Sequence, residues 1–259
     1  TAIDGAAPGD VIALTGGTWD GVVIDKPLTL VGSASEPPTL RRGEGSFAEV
    51  PGPCVRLATA GRVALIGLDL TVAASGLVYS QTAPAIDGSV DDLLVLHCTV
   101  DASTFQPTGY VAGSPAIAAQ AQRLLVADSL VVGGGQAYDG LTDNVFGTNP
   151  PALVAYADVL VVDSSVTGGA GPTPTVFGGG WLCGDEGGTS GPAIAGPGRL
   201  VHVDSTLSAG AAGTAAVYEG PAVGEVDQIC ALPVSADLQV AEVLALESGG
   251  LYLSSGGMA

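Results

Sequence analysis

Lysine occurs once and methionine once in this chain of 259 residues, at Lys26 and Met258, and aromatics supply only 5% of it. With so few rings, a core must be built from Val, Leu, Ile and Ala. Seven basic side chains stand against 26 acidic ones, for a net charge of −19. Such a surface repels nucleic acid and anionic membranes. The deficit is uneven: residues 1–62 hold five basic and seven acidic groups, and the remainder holds two basic (Arg123, Arg199) and nineteen acidic. Apolar runs are too short and too often broken to cross a membrane as a helix. No CxxC or Cys/His zinc spacing is present, and no P-loop, GxSxG, HExxH or EF-hand loop. Beyond the first seven residues no helical periodicity appears. The chain opens at Thr1 without Met or leader, so a trimmed mature region is expected. A Lys-poor, Gly-rich, acidic chain suits a secreted or cell-surface setting.

Glycine is abundant, at 40 residues, and so are short β-branched runs bounded by Gly, Pro, Asp and Ser. These read as strands and turns. One phrase recurs five times, at Pro53-Cys54-Val55, Pro84-Ala85-Ile86, Pro115-Ala116-Ile117, Pro151-Ala152-Leu153 and Pro192-Ala193-Ile194, spaced 31, 31, 36 and 41 residues apart. About ten residues on, a second phrase follows each: LIGLDLTV, VLHCTV, VADSLV, VVDSSV and HVDSTL. This period predicts stacked supersecondary units that share one continuous core.

Strict alternation along the second phrase assigns four columns inward. They run through Ala64 and Leu94, through Ile66 and Leu96, through Leu68, Cys98, Ser129, Ser164 and Ser205, and through Leu70 and Val100. A buried serine stack is expected to be satisfied by hydrogen bonds along the column. The same alternation places Gly67, His97, Asp128, Asp163 and Asp204 outward. It also turns two apolar columns, through Val63 and Leu93 and through Leu65 and Val95, toward solvent. Such a stripe marks a contact for long loops or another chain, or else the alternation reverses at this bend.

Segments 73–83, 103–114, 135–150 and 170–191 lengthen from copy to copy and should leave one side of the stack. They hold seven of the twelve aromatics: Tyr79, Phe105, Tyr110, Tyr138, Phe146, Phe177 and Trp181. Rings beside amides and carboxylates suit glycan binding. Equally, the rings can pin long loops to the stack. Asp128, Asp163 and Asp204 would stand about 5 Å apart on adjacent units. The column reads as a Ca²⁺ site, as acid/base groups, or as a solvated row beside a turn. Ca²⁺ needs six to eight oxygens, more than the column supplies. Cys183 and Cys230 are the expected disulfide; Cys98 reads as a small buried thiol.

The segment Ala6-Ala7-Pro8-Gly9-Asp10-Val11-Ile12-Ala13-Leu14, then Gly17-Thr18-Trp19, then Val22 to Gly32 resembles the first coil of the pectate-lyase-like right-handed parallel β-helix superfamily, including its NosD-like, periplasmic copper-binding-type members. Trp19 stands where that family usually has Tyr. The later copies are similar at repeat level. The resemblance implies an all-β, single-stranded right-handed β-helix of about eight coils, some 40 Å long. One domain would span residues 1–259: a short cap over 1–9, regular coils with one-sided loops over 10–210, and looser coils over 211–259, at Ala215–Tyr218, Leu238–Ala245 and Gly250–Ser254.

Fold alone is a weak guide to activity. Lyases of this superfamily use a basic residue as the proton acceptor, and Arg62, Arg123 and Arg199 are the candidates. No Arg or Lys lies in the four insertions, and neither polygalacturonase nor pectin methylesterase patterns appear. The reading is therefore a secreted or cell-surface, non-catalytic protein, structural or glycan-binding, self-associating through its ends or an apolar stripe. The alternatives are a polysaccharide lyase or glycoside hydrolase, and a metal-dependent accessory protein of the NosD kind. No cofactor is required, with Ca²⁺ the cation for the Asp column. Polysaccharide and a second copy are the expected partners; nucleic acid binding and membrane insertion are not expected.

Overall fold

The computed structural model describes residues 1–33, 35–42, 52–72, 79–81, 83–102, 110–135, 150–170, 191–211, 239–247 and 250–254. It opens with a single helical turn, Ala2–Gly5, where Thr1 Oγ1 accepts from the Asp4 N–H at 3.3 Å. The single lysine holds this turn in place. Lys26 Nζ donates to the carbonyls of Ile3 (3.1 Å), Asp4 (3.4 Å) and Ala6 (3.3 Å) at the end of the turn, where Ile3 O also accepts from the Ala6 N–H.

The remaining described elements are strands. They form a larger sheet of 12 strands, a smaller sheet of seven and a separate two-stranded pair. The chain visits the two main sheets in turn, and each strand lies parallel to its equivalent one repeat away. Ile86 is in register with Val55 and Ile117, Ile117 with Leu153, and Leu153 with Ile194, so the Pro-Ala-Ile phrases stack as their spacing predicts. The second phrases stack likewise: Val63, Leu93, Leu124, Val159 and Leu200 form one continuous column. Parallel pairing between repeats satisfies the backbone, which short strands cannot do alone.

The inward and outward assignments divide at one residue. Leu68, Cys98, Ser129 and Ser164 are buried as expected, and so are Leu70, Val100, Val131 and Val166. Upstream of the corner the expectation is reversed. Val63, Leu65, Leu93, Val95, Leu124, Val126, Val159 and Val161 are the buried side chains, whereas Leu94, Leu96, Leu125 and Leu160 face outward. The cause is the corner residue. His97, Asp128, Asp163 and Asp204 have φ of 46–52°, and Gly67 has 64°. One left-handed residue rotates the chain, so the inward positions run 63, 65, then 68 and 70. Asp, His and Gly occupy this corner because a short polar side chain, or none, tolerates left-handed backbone. Each buried Leu or Val contributes on the order of 1.5–3 kcal/mol.

The same corner explains the serines. Before it, the backbone N–H groups of His97, Asp128 and Asp163 donate to carbonyls of the following turn; after it, those of Thr99, Leu130 and Ser165 donate to the preceding turn. The residue between has no carbonyl in reach. Its N–H is met by a hydroxyl: Cys98 N donates to Ser129 Oγ at 3.1 Å, Ser129 N to Ser164 Oγ at 3.1 Å, and Ser164 N to Ser205 Oγ at 3.2 Å. Each hydroxyl then donates within its own turn, to Ala127 O (2.7 Å), Val162 O (2.6 Å) and Val203 O (2.7 Å).

At the other end, Gln239–Glu247 adds a further parallel strand to Ile194–Val203. Gly250–Ser254 does not add another turn. It folds back antiparallel on Gln239–Glu247, with Glu247 opposite Gly250. The two intervening residues, Ser248-Gly249, are a tight-hairpin sequence. The expected coil at Ala215–Tyr218 lies outside the described residues.

Candidate functional site

The insertions leave and return in register. Their departure points stack through Thr71, Asp101, Val132 and Thr167, and their return points through Ile86, Ile117, Leu153 and Ile194. The departure and return points therefore lie along one edge. Glycine backbone closes the neck: Gly191 N donates to Gly169 O at 2.8 Å, and Gly169 N to Pro150 O at 3.2 Å. A Cβ on Gly168 would sit 2.0 Å from Gly191 O, so no other residue fits there. Tyr79 and Tyr110 fall opposite one another in the two-stranded parallel pair Tyr79–Gln81 and Tyr110–Ala112. Phe105, Tyr138, Phe146, Phe177 and Trp181 lie outside the described residues, as do Cys183 and Cys230.

The Asp column lines an open concavity of roughly 570 Å³ together with His97 and Ser164. His97 Nδ1 is 3.8 Å from Asp128 Oδ2, and both side chains are more than half exposed. Among the described residues no three carboxylates, imidazoles or thiols come together closely enough to hold a metal ion. Asp128, Asp163 and Asp204 carry out the backbone duty described above. Cys98, a free buried thiol whose burial raises its pKa, fills the first serine position. Its Sγ donates to Leu96 O at 3.2 Å. Cys54 is buried too, with Sγ donating to Thr71 O at 3.4 Å.

The arginines offered as proton acceptors lie in strands and share one column with acids the sequence reading passed over. Arg62 is in register with Asp92, Asp92 with Arg123, and Arg123 with Asp158. Arg199 follows, its N–H donating to Asp158 Oδ1 at 3.4 Å, and Glu242 is in register with Arg199. The charges thus alternate in sign over six successive turns. Arg123 grips Asp92 with two bonds of 2.6 Å, Nε to Oδ1 and Nη2 to Oδ2, while Arg62 Nη2 stands 3.6 Å from Asp92 Oδ2. The Arg123 guanidinium holds the Asp92 carboxyl below its usual range, against an opposing effect of burial. An arginine so engaged is a poor proton acceptor, and its own affinity for the proton is raised. The spacing of these residues matches the repeat, so one more aligned column upstream would have revealed them.

A second concavity, of roughly 550 Å³, lies at the bend between the first and second strands of a turn, lined by Ser89, Asp91, Gln120, Gln122 and Tyr156. Asp91 is fixed from two sides, accepting from Gly61 N at 2.7 Å and from Gln122 Nε2 at 3.3 Å. Tyr156 is 58% exposed, the largest exposed apolar surface in this groove. A ring face beside two amides and a carboxylate can stack on sugar CH groups while the polar groups take hydroxyls. Tyr156 escaped the sequence reading because it sits inside a strand, Leu153–Val162, rather than in an insertion.

No family model matches the chain, and no curated protein does. Among solved structures it is similar to the pectin methylesterase from Aspergillus niger in deglycosylated form, at 14% identity and a TM-score of 0.37, over 96% of this chain and 81% of that one. The stacked parallel registers and repeated corners, on their own, give this chain a parallel β-helix plan.

Proposed function

We propose that this is a secreted or cell-surface, non-catalytic protein: a right-handed, single-stranded β-helix of about eight coils that binds glycan on its flank and self-associates along its length. The observation that carries the glycan reading is the Tyr156 groove, an exposed ring 58% accessible with Gln120, Gln122 and Asp91 around it. Tyr79 and Tyr110, in register in the two-stranded pair, are the further aromatic positions this reading enlists. A net charge of −19 favours neutral glycans over anionic ones. Such binding requires no cofactor. Composition supports the extracellular setting: one lysine and a strongly acidic surface.

The test is affinity electrophoresis in gels cast with a neutral β-glucan, with polygalacturonate as the anionic comparison. Retardation by β-glucan is expected, abolished by Tyr156→Ala and weakened by Trp181→Ala. Equal mobility of wild type and Tyr156→Ala in both gels, with unchanged circular dichroism, would remove the groove as a glycan site.

A further inference from the structure

The outer face of the larger sheet is apolar over several turns, along the two outward columns through Leu125 and Ala127. Leu160 is 37% exposed there, and its neighbours are half-buried. The alternating charge ladder runs along the border of this face. Arg123 is 69% exposed although paired with Asp92, and that pairing uses only two of the five N–H donors of its guanidinium.

We propose that a second copy of this chain covers this face, antiparallel, about a two-fold axis lying along the strands between the turns of Arg123 and Asp158. This rests on the self-associating part of the reading above and is independent of the glycan groove. A two-fold axis in that direction reverses the order of turns and sets the ladder opposite itself. Reversal of the alternating charges about that axis brings opposite signs together at each matched step. Arg123 comes opposite Asp158 of the other copy, and the turn of Arg199 opposite that of Asp92, whose carboxylate its own arginines largely cover. The other face-to-face two-fold, about the rod axis, keeps the order of turns but carries the ladder to the opposite border, where it no longer meets itself. One patch then serves both copies, as closed two-fold symmetry requires. The ladder fixes direction and register, and the apolar columns supply the burial.

Six turns of strands about 4.8 Å apart, each presenting about five residues, cover on the order of 500 Å² per copy. The total of about 1,000 Å² is the lower limit for a specific interface, so the dimer is reversible. On the opposite border Asp128 and Asp163 approach their counterparts with like charge, where the chain turns away from the face. They weaken the association without altering its direction.

Sedimentation velocity across a concentration series tests this on wild type, Arg123→Glu, Asp158→Arg and an equimolar mixture of the two variants. Wild type is expected to pass reversibly from monomer to dimer. Each variant alone meets like charge twice across the two-fold axis, and its association should weaken by about tenfold or more. In the mixture each substituted position meets its opposite again, and dimer should return. Misfolded protein cannot produce that recovery, and circular dichroism checks each variant separately. Leu160→Glu, which leaves the ladder intact, should also give monomer.

Wild type that stays monomeric at every concentration would overturn the proposal, whether an insertion or a different partner fills the face. A dimer that survives both charge variants, or does not return in the mixture, would overturn the antiparallel register. Neither result alters glycan retention, so the two readings fail separately.

Discussion

At one corner of the coil the chain turns on a single left-handed residue in five successive repeats, Gly67, His97, Asp128, Asp163 and Asp204. At the insertion edge it departs for 11, 12, 16 and then 22 residues. The first corner is constrained from inside. Reversal of the hydrogen-bond direction strands one N–H per turn, and only a side chain placed one residue after the corner can reach it. The second is constrained at its neck, where glycine backbone meets glycine backbone. The chain thus fixes residue type where its interior must be satisfied and varies in length where the neck alone must close.

Three sets of substitutions sharpen that contrast. The largest effect is expected for Leu93→Ala, which empties a fully buried position and should cost about 2–5 kcal/mol by urea unfolding. Its neighbour Leu94 faces outward, and Leu94→Ala should cost less than about 1 kcal/mol. Equal losses at both positions would mean that the alternation does not reverse at the corner. Next, Ser129→Ala leaves the Cys98 N–H without its acceptor and should cost about 1–3 kcal/mol. Hydrogen exchange read at the Cys98 amide should speed up with it; an unchanged amide would show that the hydroxyl is not its partner. Smallest is the corner itself. Asp163→Val forces a β-branched residue to a φ of 46° and should cost about 1–2 kcal/mol, whereas Asp163→Gly should be nearly neutral. If the valine variant matched the glycine one in thermal unfolding, the carboxylates would need a reason other than backbone.

The stacking of repeats was legible because it rests on spacing: Pro53 to Pro192 mark positions that the structure places in register. The reversal was less so, because alternation was carried through a residue that breaks it. The sign was present in Gly67, His97 and the three aspartates, all residues that accept left-handed backbone. The charge ladder was hidden for a related reason. Arg62, Arg123 and Arg199 were weighed one at a time as proton acceptors, and Asp92 and Asp158, which give them meaning, lay in unaligned positions. The last strand was misplaced because Gly250–Ser254 has the apolar pattern of a coil, while the preceding Ser248-Gly249 dictates a hairpin. Tyr156 shows the limit of searching only loops: an outward position on a strand presents a ring equally well.

The closed glycine neck has a consequence for how such a protein can be altered. Gly169 and Gly191 are hydrogen-bonded to each other across everything between them. The coil beneath therefore receives the same two ends whatever the intervening length. Closing a longer loop costs only about 0.6 kcal/mol for each doubling. The edge behaves as a row of ports on a fixed chassis, each open to new cargo without retuning the frame that carries it.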